Sequence, residues 1–160
     1  GLAKRKHSHL ALLRRHPHPT RMQDAKTLFL SHLQLIATAP EQWKQLYATD
    51  AVMEFPYAPS IGALGRYEGI ETISKHIQSV FSQLSNPSFH NVEVHPLADE
   101  EAVVAEFEMS ATVIATNLPY QQKYIALLRA KQSKIVLLRE FWNPQEVLKS
   151  FGAVPGGSNN

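Results

Sequence analysis

Glu140 is the residue whose surroundings most suggest chemistry. It stands in the run Leu137-Leu138-Arg139-Glu140-Phe141-Trp142, where both alternating sets are apolar around one charge each. An unpaired carboxyl on an apolar strand face has a raised pKa and can give or take a proton near neutral pH. The competing arrangement is an ion pair with Arg66, Lys123 or another strand's base that ties the sheet together. Tyr57 and Tyr124 can offer hydroxyls to a ligand carbonyl or pack at the core or rim. Trp43, Phe55, Phe107, Met109 and Trp142 are expected to line a pocket or the core. His32 and His76 lie in helical segments with no partner at metal-ligand spacing, which suits surface or capping positions. His90 and His95 are five apart on one extended segment, hence on opposite faces, and cannot share a metal without a bulge. There is no cysteine, so disulfides, thiol nucleophiles and thiolate zinc sites are excluded. No HExxH, GxSxG or paired-aspartate motif is present, and neither a metal nor a cofactor is expected.

The elements that must position these residues follow from periodicity. Leu28, Phe29, Leu33 and Ile36 recur at helical spacing after Asp24. Pro40 opens a second helix with Trp43, Leu46 and Tyr47 on one side. Residues 51–55 read as a strand stopped by Pro56 and Pro59, and a loop with Gly62, Gly65 and Gly69 follows. That loop lacks the pattern of a phosphate cradle. Residues 71–84 form a third helix with Ile73, Ile77, Val80, Phe81 and Leu84 on one stripe. Strands are expected at 89–97, 102–116, 120–130 and 135–142, the last two forming a hairpin around residues 131–134, before a short helix at 145–151.

This order predicts an α+β fold: about three helices on one face of a strongly curved, mainly antiparallel sheet that closes as a cone around a pocket. The long strand alternates between Val103, Ala105, Phe107, Met109, Ala111, Val113 and Ala115 on one face and Glu106, Glu108, Ser110 and Thr112 on the other. On the last strand Val136, Leu138, Glu140 and Trp142 form one set and Ile135, Leu137, Arg139 and Phe141 the other. The last two strands look covered on both faces while the helices cover one, so a homodimer through the sheet is expected.

One hundred and sixty residues suit a single domain, and 44% hydrophobic with 19% charged residues excludes a disordered chain. No run approaches a membrane span of about 20 apolar residues, and the expected location is the cytoplasm. Residues 1–21 hold six basic residues and no acid; the rest holds ten basic and fourteen acidic residues, so the +2 net charge is +6 against −4. The leader admits three readings: a basic arm for anionic surfaces, a targeting peptide, or an extension upstream of a domain that starts near Met22. The acidic body offers phosphates little attraction, so no nucleic-acid partner is expected. The expected organisation is a basic extension over 1–21, one domain over 22–153 and a flexible tail over 154–160.

The runs 43–52 (WKQLYATDAV), 54–59 (EFPYAP), 67–73 (YEGIETI), 103–108 (VVAEFE), 134–136 (KIV) and 139–144 (REFWNP) resemble the SnoaL-like branch of the nuclear transport factor 2-like superfamily. The branch includes ketosteroid isomerase, limonene epoxide hydrolase and polyketide cyclases, and the resemblance implies the cone-shaped, cystatin-like fold. It also implies where chemistry is lost. The isomerase base falls on Phe55 and its oxyanion acid within 124–126, where there is no carboxylic acid, which disfavours steroid isomerisation. The epoxide hydrolase Arg and Asp pair falls on Phe107 and Met109, and its third member on Glu140. Cyclases of this branch place an aspartate near the same point. The implied protein is a cofactor-independent homodimer that binds a small hydrophobic molecule beside Trp43, Phe55, Tyr57, Phe107, Met109, Tyr124 and Trp142, with Glu140 as its catalytic candidate. A non-catalytic binding or interaction module is the alternative.

Overall fold

The structure is a computed structural model and describes residues 23–99 and 101–152. The basic extension and the tail lie outside the described residues. Helix α1 (Ala25–Leu35) starts where the Asp24 carboxylate accepts from the Thr27 amide, 2.8 Å away, and it buries Leu28, Phe29, His32 and Leu33 along one face. Helix α2 (Pro40–Lys44) is a single turn that buries Trp43. Strand β1 is Tyr47–Glu54; Leu46 and Tyr47 therefore leave the second helix, and Tyr47 opens the sheet instead. The glycine-bearing loop holds a 3-10 turn (Ala58–Ile61) and a short strand, β2 (Arg66–Glu68), that sequence periodicity is too brief to reveal. Helix α3 (Ile70–Phe81) begins at Gly69, whose φ of 85° favours glycine. Strands β3 (Leu84–Pro96), β4 (Ala102–Val113), β5 (Pro119–Lys131) and β6 (Lys134–Trp142) follow, then α4 (Pro144–Phe151). Asn143 caps α4 by accepting from the Gln145 amide, and Gly152 ends it in the left-handed region.

Among the described residues the six strands run in the order β2-β1-β6-β5-β4-β3, and β1–β6 is the one parallel pair. The result is the expected mainly antiparallel sheet with its helices on one face. Along β4, Val103, Ala105, Phe107, Met109, Ala111 and Val113 are all buried, as alternation requires; Ala115 falls in the turn beyond the strand.

Bulges give the sheet its curvature and correct two expectations. β3 gains an extra residue against β4 twice, between Ser85 and Ser88 and between His90 and Glu93. Asn86 and Asn91, one inside each irregularity, have φ of 52° and 51°. The second bulge changes the alternation. His90 pairs with Glu108 and His95 with Val104, so both histidines share the convex face. On β6, Arg129 pairs with Leu137 but Ala130 with Ile135, which leaves Val136 as the extra residue. Ile135 is consequently the one buried completely in the core, while Val136 is half-buried. Leu138, Glu140 and Trp142 keep their concave placement.

Candidate functional site

The concave face and the helices enclose a cavity of about 110 Å³. That is the order of a void that accepts a benzene ring, about 150 Å³. Each element contributes through its buried stripe: Leu33 and His32 from α1, Met53 from β1, Tyr67 from β2, His76 and Ile77 from α3, and Phe107 and Met109 from β4. Tyr120 and Tyr124 come from β5, Leu138, Glu140 and Trp142 from β6, and Val147 and Phe151 from α4. Of the residues expected to line a pocket, Phe55, Phe107, Met109, Tyr124 and Trp142 do so, and Glu140 is with them. Phe107 and Tyr124 stack with ring centroids 4.7 Å apart and planes 5° from parallel. Phe55 sits between His76 and Trp142, at 5.8 and 6.3 Å.

Two expected residues lie elsewhere. Tyr57 is 52% exposed and meets Phe141 edge-on at 5.7 Å, outside the cavity lining. The Pro56–Pro59 turn that follows β1 carries it outward. Trp43 is buried behind the lining rather than in it, and its indole Nε1–H donates to His32 Nδ1 over 2.9 Å.

That bond overturns the expected surface position of His32, which is 1% exposed. The Tyr47 hydroxyl also lies 2.9 Å from the same Nδ1. Burial pushes the His32 pKa down to about 3, so the ring is neutral. His76 is also a lining residue rather than a surface one. It stacks on Tyr67 at 4.1 Å, and burial lowers its pKa.

Glu140 is the acidic group of the cavity whose titration is clearly displaced. Its residue keeps partial accessibility, and it lines the cavity. The bases that might have neutralised it are engaged elsewhere. Arg66 Nη1 and Arg139 Nε each reach Glu54 at 2.7 Å, Arg66 Nε reaches Glu68 at 3.0 Å, and Lys123 approaches Glu108 at 3.8 Å. No hydrogen bond or ion pair joins Glu140 to another described side chain. Burial alone pushes its pKa up to about 8. The buried Tyr47, Tyr120 and Tyr124 hydroxyls are raised chiefly by burial and further by the charge of Glu140, Tyr120 to about 12. Tyr120 is positioned by buried Gln122, whose Nε2 donates to the Tyr120 hydroxyl at 3.1 Å and to the Asn143 carbonyl at 2.9 Å. Gln122 Oε1 accepts from the Asn143 amide at 3.0 Å, clamping β5 to the start of α4.

Among the described residues, Glu93, His95 and Glu106 bring three donor atoms within 4.8 Å of one another, but on the exposed convex face. His95 Nε2 lies 2.8 Å from Glu106 and 3.8 Å from Glu93.

Residues 32–138 match the SnoaL-like domain family, well over half of the chain. The chain belongs to the SnoaL-like domain family. Its fold is the nuclear transport factor 2-like one, as the resemblance implied. The SnoaL-like match begins at His32 and stops two residues short of Glu140. YesE, an uncharacterised protein of Bacillus subtilis (strain 168), is 39% identical over 112 residues, covering 70% of this chain and 76% of YesE. A solved Bacillus subtilis structure provisionally named an isomerase is 34% identical with a TM-score of 0.74, covering 81% of this chain and 94% of that one. A Pseudomonas putida structure provisionally named a polyketide cyclase is 14% identical with a TM-score of 0.70, covering 80% and 98%; that likeness shows the fold alone.

Proposed function

We propose that this SnoaL-like protein binds a small, largely apolar molecule in the cone cavity and moves a proton on it through Glu140, as a cofactor-independent isomerase, cyclase or hydrolase. The observation that carries this reading is a single carboxyl, unpaired among the described residues, on the wall of an aromatic and aliphatic cavity. Such a group is expensive to ionise and has no evident structural use. A pKa of about 8 leaves it mostly protonated at neutral pH yet able to cycle, which is the condition for acid and base work in one site. The provisional isomerase name of the Bacillus subtilis structure, 34% identical, agrees with proton transfer at carbon. Among the described residues no helix is long and apolar enough to cross a membrane, and the reading needs no cofactor.

The test uses cyclohexanone, whose α-hydrogens exchange slowly in deuterium oxide and whose ring matches the cavity. Proton NMR should show the protein accelerating that exchange. Glu140→Gln should lose a factor of about 10²–10⁴ in the protein-dependent rate, with cyclohexanone binding retained. Exchange that survives the substitution would place the chemistry elsewhere. Binding without any acceleration by the unaltered protein would favour a non-catalytic binding module.

A further inference from the structure

Trp43, Tyr47 and His32 set a direction for hydrogen bonding in the cavity. Indole Nε1 can only donate, so the Nδ1 it meets at 2.9 Å must carry a lone pair. Tyr47, at 2.9 Å from the same nitrogen, then also donates to it. The neutral ring therefore holds its proton on Nε2, at the opposite edge. Among the described residues Nε2 has no partner, although His32 is 1% exposed. Ser133 Oγ is the one described side-chain polar atom sealed in protein without a partner, so Nε2 is reached by the cavity that His32 lines. The result is a fixed, neutral N–H donor in a mostly apolar void that also contains Glu140.

We infer that His32 Nε2–H donates to the oxygen of the ligand, and that the ligand class is small apolar carbonyl compounds bound with the carbonyl toward α1. This rests on the proposed use of the same cavity, but concerns what is bound and how it is oriented rather than which group moves the proton. Trp43 and Tyr47 are positioning residues: they hold the tautomer and touch no ligand. A neutral donor suits a carbonyl better than a carboxylate, whose charge would be left uncompensated in a mostly apolar cavity. If the Glu140 carboxylate takes an α-hydrogen as a proton, the C–H pair becomes the C=C of an enolate. The carbonyl π pair moves to oxygen, where the Nε2–H bond strengthens. Return of the proton from Glu140 to carbon restores both groups.

The experiment compares cyclohexanone with methylenecyclohexane, which has the same shape and no acceptor, on the full chain. In ¹⁵N spectra of the unaltered protein, His32 should show a protonated Nε2 and an unprotonated Nδ1, and cyclohexanone should shift the Nε2 resonance. His32→Phe should weaken cyclohexanone at least ten-fold while leaving the affinity for methylenecyclohexane nearly unchanged. Trp43→Phe should introduce an Nδ1-protonated population and weaken the ketone alone, which keeps the test informative if His32→Phe fails to fold. A protonated Nδ1 in the unaltered protein, an unmoved Nε2 resonance, or a cyclohexanone affinity that His32→Phe leaves unchanged would overturn the inference. Loss of exchange in Glu140→Gln bears on the proposed function and leaves this comparison untouched; conversely, His32-dependent ketone binding without exchange would retain His32 and discard the proton transfer.

Discussion

Two cavity-lining titratable residues with opposite pKa shifts make the cavity visible in stability measurements. Glu140 is raised from its ordinary value of 4.5 to about 8. The folded state therefore keeps a proton that the unfolded state has lost, and stability falls as pH rises from about 4.5 to about 8. His32 is lowered from 6.5 to about 3, so its contribution is fully present above 6.5 and is lost as pH falls toward 3. The two oppose each other between 4.5 and 6.5, and above 6.5 only Glu140 of the pair still acts. Urea unfolding from pH 6.5 to 8 should show wild-type stability falling by up to about 1.4 kcal/mol per pH unit from this group. Glu140→Gln should lack that component, and parallel profiles for the two proteins would refute the assignment. Glu140 was legible in the sequence because a charge interrupting an alternating apolar strand is conspicuous. His32 was not, because its partners are 11 and 15 residues away and meet it only once α1, α2 and β1 are assembled. Trp43 was legible as buried, but its donor atom was not legible as the reason.

At the scale of elements, the strands and helices were readable where runs were long and the period clear, as on β4 and α3. Departures came from single residues that break a period. The extra residue at Val136 exchanges Ile135 for Val136 in the core, and the bulge around Asn91 brings His90 and His95 to one face. Alternation cannot anticipate either, since a bulge is set by pairing with another strand. The β5–β6 hairpin shows the same limit. It turns through Gln132 and Ser133, with φ of 51° and 60°. Two consecutive left-handed residues in a two-residue connection are the geometry that Asn-Gly adopts most easily. The double change Gln132→Asn with Ser133→Gly should therefore stabilise the protein by about 0.5–1 kcal/mol. Thermal unfolding should register a rise of a few degrees, and a fall would show that Ser133 has a packing role that outweighs its backbone strain.

At the scale of the molecule, the helices and cavity occupy one face of the sheet, and the described residues leave the other incompletely covered. The convex side of β5 and β6 carries Ile125, which is 49% exposed, with Leu127, Leu137 and Phe141 half-buried beside it. Tyr57, displaced from the cavity, adds its ring against Phe141. Charges of both signs lie on this same face, Glu106 and Glu108 on β4 and Lys123 and Arg129 on β5, so the surface can complement a copy of itself about a two-fold axis. The double-sided apolar pattern of the last two strands was legible in the sequence; which residues stay uncovered depends on the register that the structure supplies. We propose that a second copy of the chain covers this face. Light scattering at micromolar concentration should give twice the monomer mass. Ile125 is exposed within one chain, so Ile125→Glu should leave folding intact by circular dichroism. It should weaken association at least ten-fold, because an unpaired carboxylate buried between sheets costs several kcal/mol. A monomeric wild type, or a dimer indifferent to Ile125→Glu, would reject this face as the interface.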